Sequence, residues 1–413
     1  MRSRQTETIG TEDVFHNARI PELYAGRGAA AETLRLLRRY GINGVCLVTG
    51  VTSYDRLPDA LRQETLLRSE GIACLRYPVS GEPSPETVDR IRDEARKSGF
   101  EAVIAVGGGS VLDTGKAVAA MLCHTGSVAD YLEGVGTLEP TGIRKPFIAL
   151  PTTAGTGSEA TKNAVISRTG NEGFKKSLRH EAFVPDAAIL DPELSRFCPP
   201  GITAASGLDA VTQLLEAYVS VNATPFTSMC ALEGLARAGR WLETAIEEGD
   251  NLEARTQMAY AAYLSGIALA SAGLGVVHGA AGVLGGMRPI PHGVVCGSLL
   301  KEATERILSA LQKQPEEKSE KQESNAGILD GGLDRYTRAA EALTGCGRES
   351  PETAREELLK RLERWIDLFD IPRLGAYGFT AEELSAASSW IQMKKSPVEL
   401  GQSEIEAMLT ARL

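Results

Sequence analysis

Nothing in this chain approaches the roughly 20 consecutive apolar residues needed to cross a bilayer. The opening MRSRQTETIGTEDVF carries no apolar segment of the kind that directs secretion. Cysteine is sparse: seven residues, an odd number, with no C-x-x-C spacing, which argues against a disulfide framework. Net positive charge is missing too. At −10 the chain is repelled by nucleic acid and by anionic membranes alike. These absences leave a reducing, cytoplasmic setting as the expectation, with small molecules rather than nucleic acid or membrane as partners. Histidine is scarce as well, with five in the whole chain, and no segment repeats internally.

What is present is ordinary globular composition, 43% apolar and 24% charged over 413 residues, long enough for two full cores. Short apolar segments rich in Val, Ile and Ala read as strands: GVCLVTG from Gly44, IACLRYPVS from Ile72, AVIAVGGGS from Ala102, PFIALPTTAGTGS from Pro146 and AAILDP from Ala187. Helix-like stretches separate them, such as SPETVDRIRDEARKSG with its Ser-Pro start signal. Such alternation predicts a parallel sheet covered on both faces, with ligands at the carboxyl ends of its strands. From about Pro199 the strand signals stop and long Ala- and Leu-rich helical periodicity takes over. The expected division is residues 1–195 as an α/β domain and 196–413 as an all-helical one. The polar run QKQPEEKSEKQESNAG from Gln312 reads as an exposed or partly disordered loop.

Three sets of residues carry chemistry. Gly107-Gly108-Gly109-Ser110 follows a buried-type strand and opens a helix, so backbone N–H groups and the helix N-terminus could receive a pyrophosphate. A glycine run of this kind serves a tight turn equally well, and it matches neither G-x-G-x-x-G nor the P-loop pattern. Pro151-Thr152-Thr153-Ala154-Gly155-Thr156-Gly157-Ser158-Glu159 follows another strand. Alone it reads as a Ser/Thr-rich turn, but two such loops on neighbouring strands favour a shared dinucleotide site. The third set is Asp209 and Gln213, one helical turn apart, with His278 and His292 in GLGVVHGAAGVLGGMRPIPHGVVCG. A carboxylate and two imidazoles suit Fe(II) or Zn(II) with open positions. The amide of Gln213 is the weak member.

These motifs together resemble the iron-containing (group III) alcohol dehydrogenases. GGGSVLDTGK, PTTAGTGSEATKN, KKSLRHEAFVPDAAILDP, GITAASGLDAVTQLLEAYVS and the His278/His292 run occur in that family's order. The resemblance implies an α/β N-terminal Rossmann-like domain with a parallel sheet and an all-α C-terminal domain, the dehydroquinate synthase-like architecture. The active site would lie in the cleft between them. It implies cofactor contacts at Gly108, Gly109, Ser110, Asp113, Thr152, Thr153, Thr156, Asn163 and Lys175, with Lys116 matching the family's lysine in the helix after the glycine run. Counting back from Pro185 favours Lys175 over Lys176. The family's metal positions read Asp, His, His, His; here they are Asp209, Gln213, His278 and His292. A further family histidine, four residues after the first of the pair, is Gly282 in this chain.

The implied activity is hydride transfer between NAD(P) and a small alcohol or aldehyde, assisted by a divalent metal. Asp209, His278 and His292 are the catalytic candidates, and His292 is the nearest remaining proton carrier. NAD-specific relatives often place an Asp where Gly50 stands. Its absence, with Thr52 and Ser53 nearby, leans toward NADP over NAD. A homodimer is the family's usual assembly. Alternatives within the same fold are a maleylacetate-reductase-like enzyme with altered or absent metal, a dehydroquinate-synthase-like lyase, and a cofactor-binding pseudoenzyme. His16, His124 and His180 have no matching motif and read as structural.

Overall fold

A computed structural model of the chain describes residues 14–168, 173–314, 321–324, 327–346 and 350–413. Six parallel strands form one sheet in the order β1-β8-β5-β4-β2-β3: β1 Glu22–Ala25, β2 Gly44–Gly50, β3 Ala73–Val79, β4 Ala102–Gly107, β5 Phe147–Pro151 and β8 Ala187–Leu190. All five strands expected from the apolar segments are present. The central strand β4 is buried at every residue, as a strand covered on both faces must be. Pro78 falls in β3, an edge strand, where a missing N–H costs no ladder bond. The Ser-Pro start signal also forms: Ser84 Oγ accepts from Thr87 N at 3.2 Å at the head of the Pro85–Lys97 helix.

Strand order reverses at β2. From there the chain goes outward to β3, then back past β2 to β4 and β5, and this switch point opens a crevice at the carboxyl ends. Register makes the crevice level, because Thr49 pairs with Val106 and Gly107 with Pro151. Three motif-bearing loops therefore leave the sheet side by side.

Two additional strands, β6 Asn163–Arg168 and β7 Phe174–Arg179, pair antiparallel beside the sheet. No strand was expected here, since FKKSLR is mostly polar and offers no apolar alternation.

The second half of the chain is helical. Pro200–Val219 runs through its centre, packed by Pro225–Glu247, Leu252–Ala272 and His292–Gln312. Its core is continuous with residues of β8. Where the polar run was expected to be an exposed or partly disordered loop, Lys321–Ser324 forms a strand, β9, that pairs antiparallel with β10, Gly327–Asp330, which begins at the end of the run, while 315–320 and 325–326 lie outside the described residues. No single helix among the described residues is long and apolar enough to cross a membrane; the Leu252–Ala272 and Val276–Met287 pair passes only together and is bent by 97°.

One close approach ties the threonine-rich loop to the bundle. Gly157 has φ +60, and a Cβ there would lie 2.6 Å from Gly266 Cα in the Leu252–Ala272 helix. Only glycine at both positions lets the two backbones touch.

Candidate active site

Asp209 lies on the Pro200–Val219 helix, His278 near the start of Val276–Met287, and His292 at the start of His292–Gln312. Their side chains converge. Asp209 Oδ1 is 3.3 Å from His278 Nε2 and 3.7 Å from His292 Nε2. Asp209 is 1% exposed, and its Oδ1 has no hydrogen-bond partner among the described residues. A buried carboxylate oxygen left unpaired beside two imidazole nitrogens is costly on its own. A divalent cation would satisfy it, so the donors fit the metal that this pattern implies. Cys296 completes the group: the ligand atoms of Asp209, His278, His292 and Cys296 all lie within 4.8 Å of one another.

Glu216, seven residues after Asp209 and on the same helix face, supports the site from behind. Its Oε1 accepts from Val277 N at 2.7 Å and its Oε2 sits 2.6 Å from His278 Nδ1. That contact fixes the ring's orientation, with Nδ1 on Glu216 and Nε2 facing Asp209. His292 has no such support. Its Nδ1 lacks a partner among the described residues, and its side chain is 26% exposed.

Electrostatics differ between the two rings. Burial works to lower His278, but Cys296, Asp209 and Glu216 outweigh it and hold the ring well above the ordinary imidazole range. Burial dominates at His292 and pushes it down to about 3, which leaves it neutral and able to donate a lone pair. Burial raises the Asp209 carboxyl, yet the two imidazoles beside it bring it down to about 2. The Cys296 thiol is pushed up to about 12 by burial.

Gln213 is buried on the same helix, and its Oε1 accepts from Ser265 Oγ at 2.9 Å. Ser265 Oγ also lies 3.5 Å from Gly155 O. The amide is thus engaged with the link between the helical core and the threonine-rich loop. A Cβ on Gly155 would meet Ser206, three residues before Asp209, so that loop seats on the very helix that carries the carboxylate. Gly282 faces open space, with nothing within 4 Å of where its Cβ would be.

At the crevice, Gly108 begins the Gly109–Met121 helix as its cap, and Ser110 follows in the first turn. Gly109 is dictated by packing: a Cβ there would lie 2.7 Å from Thr156 Cγ2. Thr152 N donates to Gly107 O at 2.9 Å, and a Cβ on Gly108 would touch Thr153 at 3.4 Å. Gly108, Gly109, Ser110, Thr152, Thr153 and Thr156 are therefore one surface.

Asp113 and Asn163 lie just behind that surface. Asp113 accepts from Ser158 Oγ and from Val165 N. Asn163 O accepts from Lys116 Nζ at 2.7 Å. Lys116 is fully buried and also donates to Ser158 O and Thr161 Oγ1. Burial pulls its ammonium down to about 8 and raises neighbouring Glu159 to about 7. Lys175, on β7, pairs with Glu82 at 3.1 Å and packs against Gly285 in the helix that carries His278.

Gly50 and the exposed Ser53 stand at the end of β2, where a Cβ on Gly50 would lie 2.2 Å from Ser53 Oγ. Beneath them Arg76 donates to Thr49 Oγ1 at 2.8 Å and pairs with Asp55 at 2.7 Å.

Sequence reasoning passed over Cys296, Glu216 and Arg76. Cys296 is one helical turn after His292 and Glu216 two turns after Asp209, spacings that gain meaning only once the fold sets both beside the imidazoles. Arg76 comes from β3 and meets β2 only through strand pairing, so local sequence gives no sign of it.

A nucleotide-type crevice at a sheet switch point, joined to a helical core that gathers a carboxylate and two imidazoles, is the architecture of an enzyme that uses a nucleotide and a metal. Comparison with known proteins narrows the class. Residues 21–192 match the family described as iron-containing alcohol dehydrogenase, and residues 203–413 match the C-terminal part of the Fe-containing alcohol dehydrogenase family. Long-chain-alcohol dehydrogenase 1 of Geobacillus thermodenitrificans is 34% identical over 407 residues, 95% of each chain. The NAD-dependent methanol dehydrogenase of Bacillus methanolicus is 34% identical over 298 residues, 70% of this chain and 76% of that one. Among solved structures, a 1,3-propanediol oxidoreductase superposes with a TM-score of 0.84 at 27% identity, covering 97% of this chain and all of that one. A sulfoacetaldehyde reductase from Bifidobacterium kashiwanohense, solved with NAD+, gives 0.81 at 26% identity, covering 97% and 98%. The chain belongs to the iron-containing alcohol dehydrogenase family and is an oxidoreductase acting on CH–OH groups.

Proposed function

We propose that this chain interconverts a small alcohol and its aldehyde, with a nicotinamide at the crevice and a divalent ion, Fe(II) or Zn(II), held by Asp209, His278 and His292. The observation that carries this reading is the unpaired, buried Asp209 Oδ1, 3.3 Å and 3.7 Å from the two imidazole nitrogens. When bound, such an ion would supply Lewis acidity to the substrate oxygen, and the nicotinamide would supply or accept the hydride.

The chain's own residues do the rest. Gly108, Gly109 and Ser110 present backbone to the pyrophosphate, and Thr152, Thr153 and Thr156 offer hydroxyls beside it. Asp113, through Ser158 and Val165, and Asn163, through Lys116, hold those loops in place. Lys175 stands between crevice and metal helix as a cation for the cofactor. Glu216 holds the His278 ring in orientation. His292 is partly open, its Nδ1 without a partner among the described residues, and at Gly282 there is no side chain to carry a proton.

NADP(H) is the favoured cofactor. No carboxylate stands at Gly50 to repel a 2′-phosphate, Ser53 offers a hydroxyl, and Arg76 lies directly beneath. The working unit is a homodimer in the cytoplasm, with the nucleotide-binding and helical parts dividing near residue 195. Oxidation of NADPH against a panel of small aldehydes, after loading with Fe(II) or Zn(II), tests the reading. Turnover that needs the added ion supports it; tight NADPH binding with no turnover under either ion contradicts it.

A further inference from the structure

Sulfur stands where the alcohol dehydrogenase site was expected to use an amide. Cys296 lies one helical turn after His292, so both side chains leave the same face of one helix. Its Sγ is 3.7 Å from His278 Nε2 and 3.7 Å from His292 Nε2. With the Asp209 Oδ1 distances of 3.3 Å and 3.7 Å, four edges of a donor polyhedron are defined. Metal–nitrogen, –oxygen and –sulfur bonds of about 2.0–2.3 Å at tetrahedral angles put neighbouring donors about 3.3–3.6 Å apart. One observed edge, 3.3 Å, falls in that range and the others, at 3.7 Å, lie just outside it, so a small inward shift of the donors brings them to bonding distance.

A buried free cysteine is ordinarily a small apolar filler, and Cys46 is one, set within a strand among Val, Ala and Tyr side chains. Cys296 differs in its surroundings. Its sulfur faces two imidazole nitrogens and a carboxylate rather than hydrocarbon alone. Gln213 meanwhile has its amide oxygen engaged by Ser265.

We propose that Cys296, not Gln213, is the fourth protein ligand, giving the donor set Asp209, His278, His292 and Cys296. This rests on the reading that the pocket holds a divalent ion. Binding displaces the thiol proton to solvent, and the thiolate forms the new bond to the ion with no change of oxidation state. Two properties follow. A soft sulfur donor selects Zn(II) or Fe(II) against Mg(II) or Mn(II). Four protein donors also mean that the substrate oxygen enters as a fifth ligand.

Cobalt(II) reports directly on sulfur ligation. The full chain, stripped of metal and titrated with Co(II), is expected to bind one ion and develop a thiolate-to-cobalt charge-transfer band in the near ultraviolet. Cys296→Ser should keep its fold by circular dichroism and bind Co(II) more weakly, with the band lost. Gln213→Ala should keep the band. Cobalt binding to the unaltered chain without a charge-transfer band would overturn the Cys296 assignment alone. So would a band that survives in Cys296→Ser. Failure of the unaltered chain to bind Co(II) at all would overturn the metal reading as well.

Discussion

The strand-end crevice and the pocket among the helices reach a working surface by opposite routes. The crevice is made of contiguous chain. Gly107–Ser110 and Pro151–Glu159 lie at the ends of adjacent, in-register strands, and glycines let the two loops close on one another. Its chemistry is largely backbone, so it tolerates variation wherever the Cβ has room. The pocket takes single side chains from three helices, and one of them, His278, is held in turn by the Glu216 carboxylate. There, one atom changes the donor set. The difference teaches where this chain is free to diverge from its relatives and where divergence changes its chemistry.

If that contrast holds, the pocket should fail abruptly and the crevice gradually. His278→Ala should lower kcat more than about 100-fold, beyond the range seen when only an outer partner of a metal ligand is lost. Gln213→Ala should cost far less, and equal losses from the two would break the three-residue core of the site. Glu216→Gln should weaken metal affinity about 10- to 100-fold with the fold intact, measured by competition with a chromophoric chelator.

On the crevice side, Gly109→Val should raise the Michaelis constant for the nicotinamide about tenfold, or about 1.4 kcal/mol, with metal content unchanged. The added side chain strikes Thr156, a strain of the size overpacking produces.

A smaller effect concerns pH. Folding raises Glu159 to about 7 by burial, so the native state binds its proton more tightly than the unfolded chain does. Its contribution to stability is present in full below the ordinary carboxylate range and declines as pH rises toward 7. Glu159→Gln should therefore gain in Tm relative to the unaltered chain between pH 4.5 and pH 7. Smallest of all, the Michaelis constant should be lower for NADPH than for NADH.

Much of the crevice was legible because its signals are local. Apolar strands ending in glycine or Ser/Thr runs announce both the sheet and its loops. The β6–β7 pair escaped because β7, FKKSLR, is mostly polar, and the short apolar stretch of β6 has no partner strand until the fold supplies one. In the pocket, Asp209, His278 and His292 stood out through residue type and scarcity. Cys296 did not, because a buried cysteine in an apolar helix looks like packing until the fold sets a second imidazole beside it. Glu216 was hidden in the same way. An acid in the core of a helix has meaning only once His278 Nδ1 is found 2.6 Å away.

Asp209, His278 and His292 are expected to hold a divalent ion on which turnover depends. The most direct test measures metal content and NADPH-dependent aldehyde reduction on the same sample, through chelation and reloading. One ion per chain, with activity falling in proportion as it is removed and returning with Fe(II) or Zn(II), is the predicted result. Undiminished turnover in a sample stripped of all metal would contradict it.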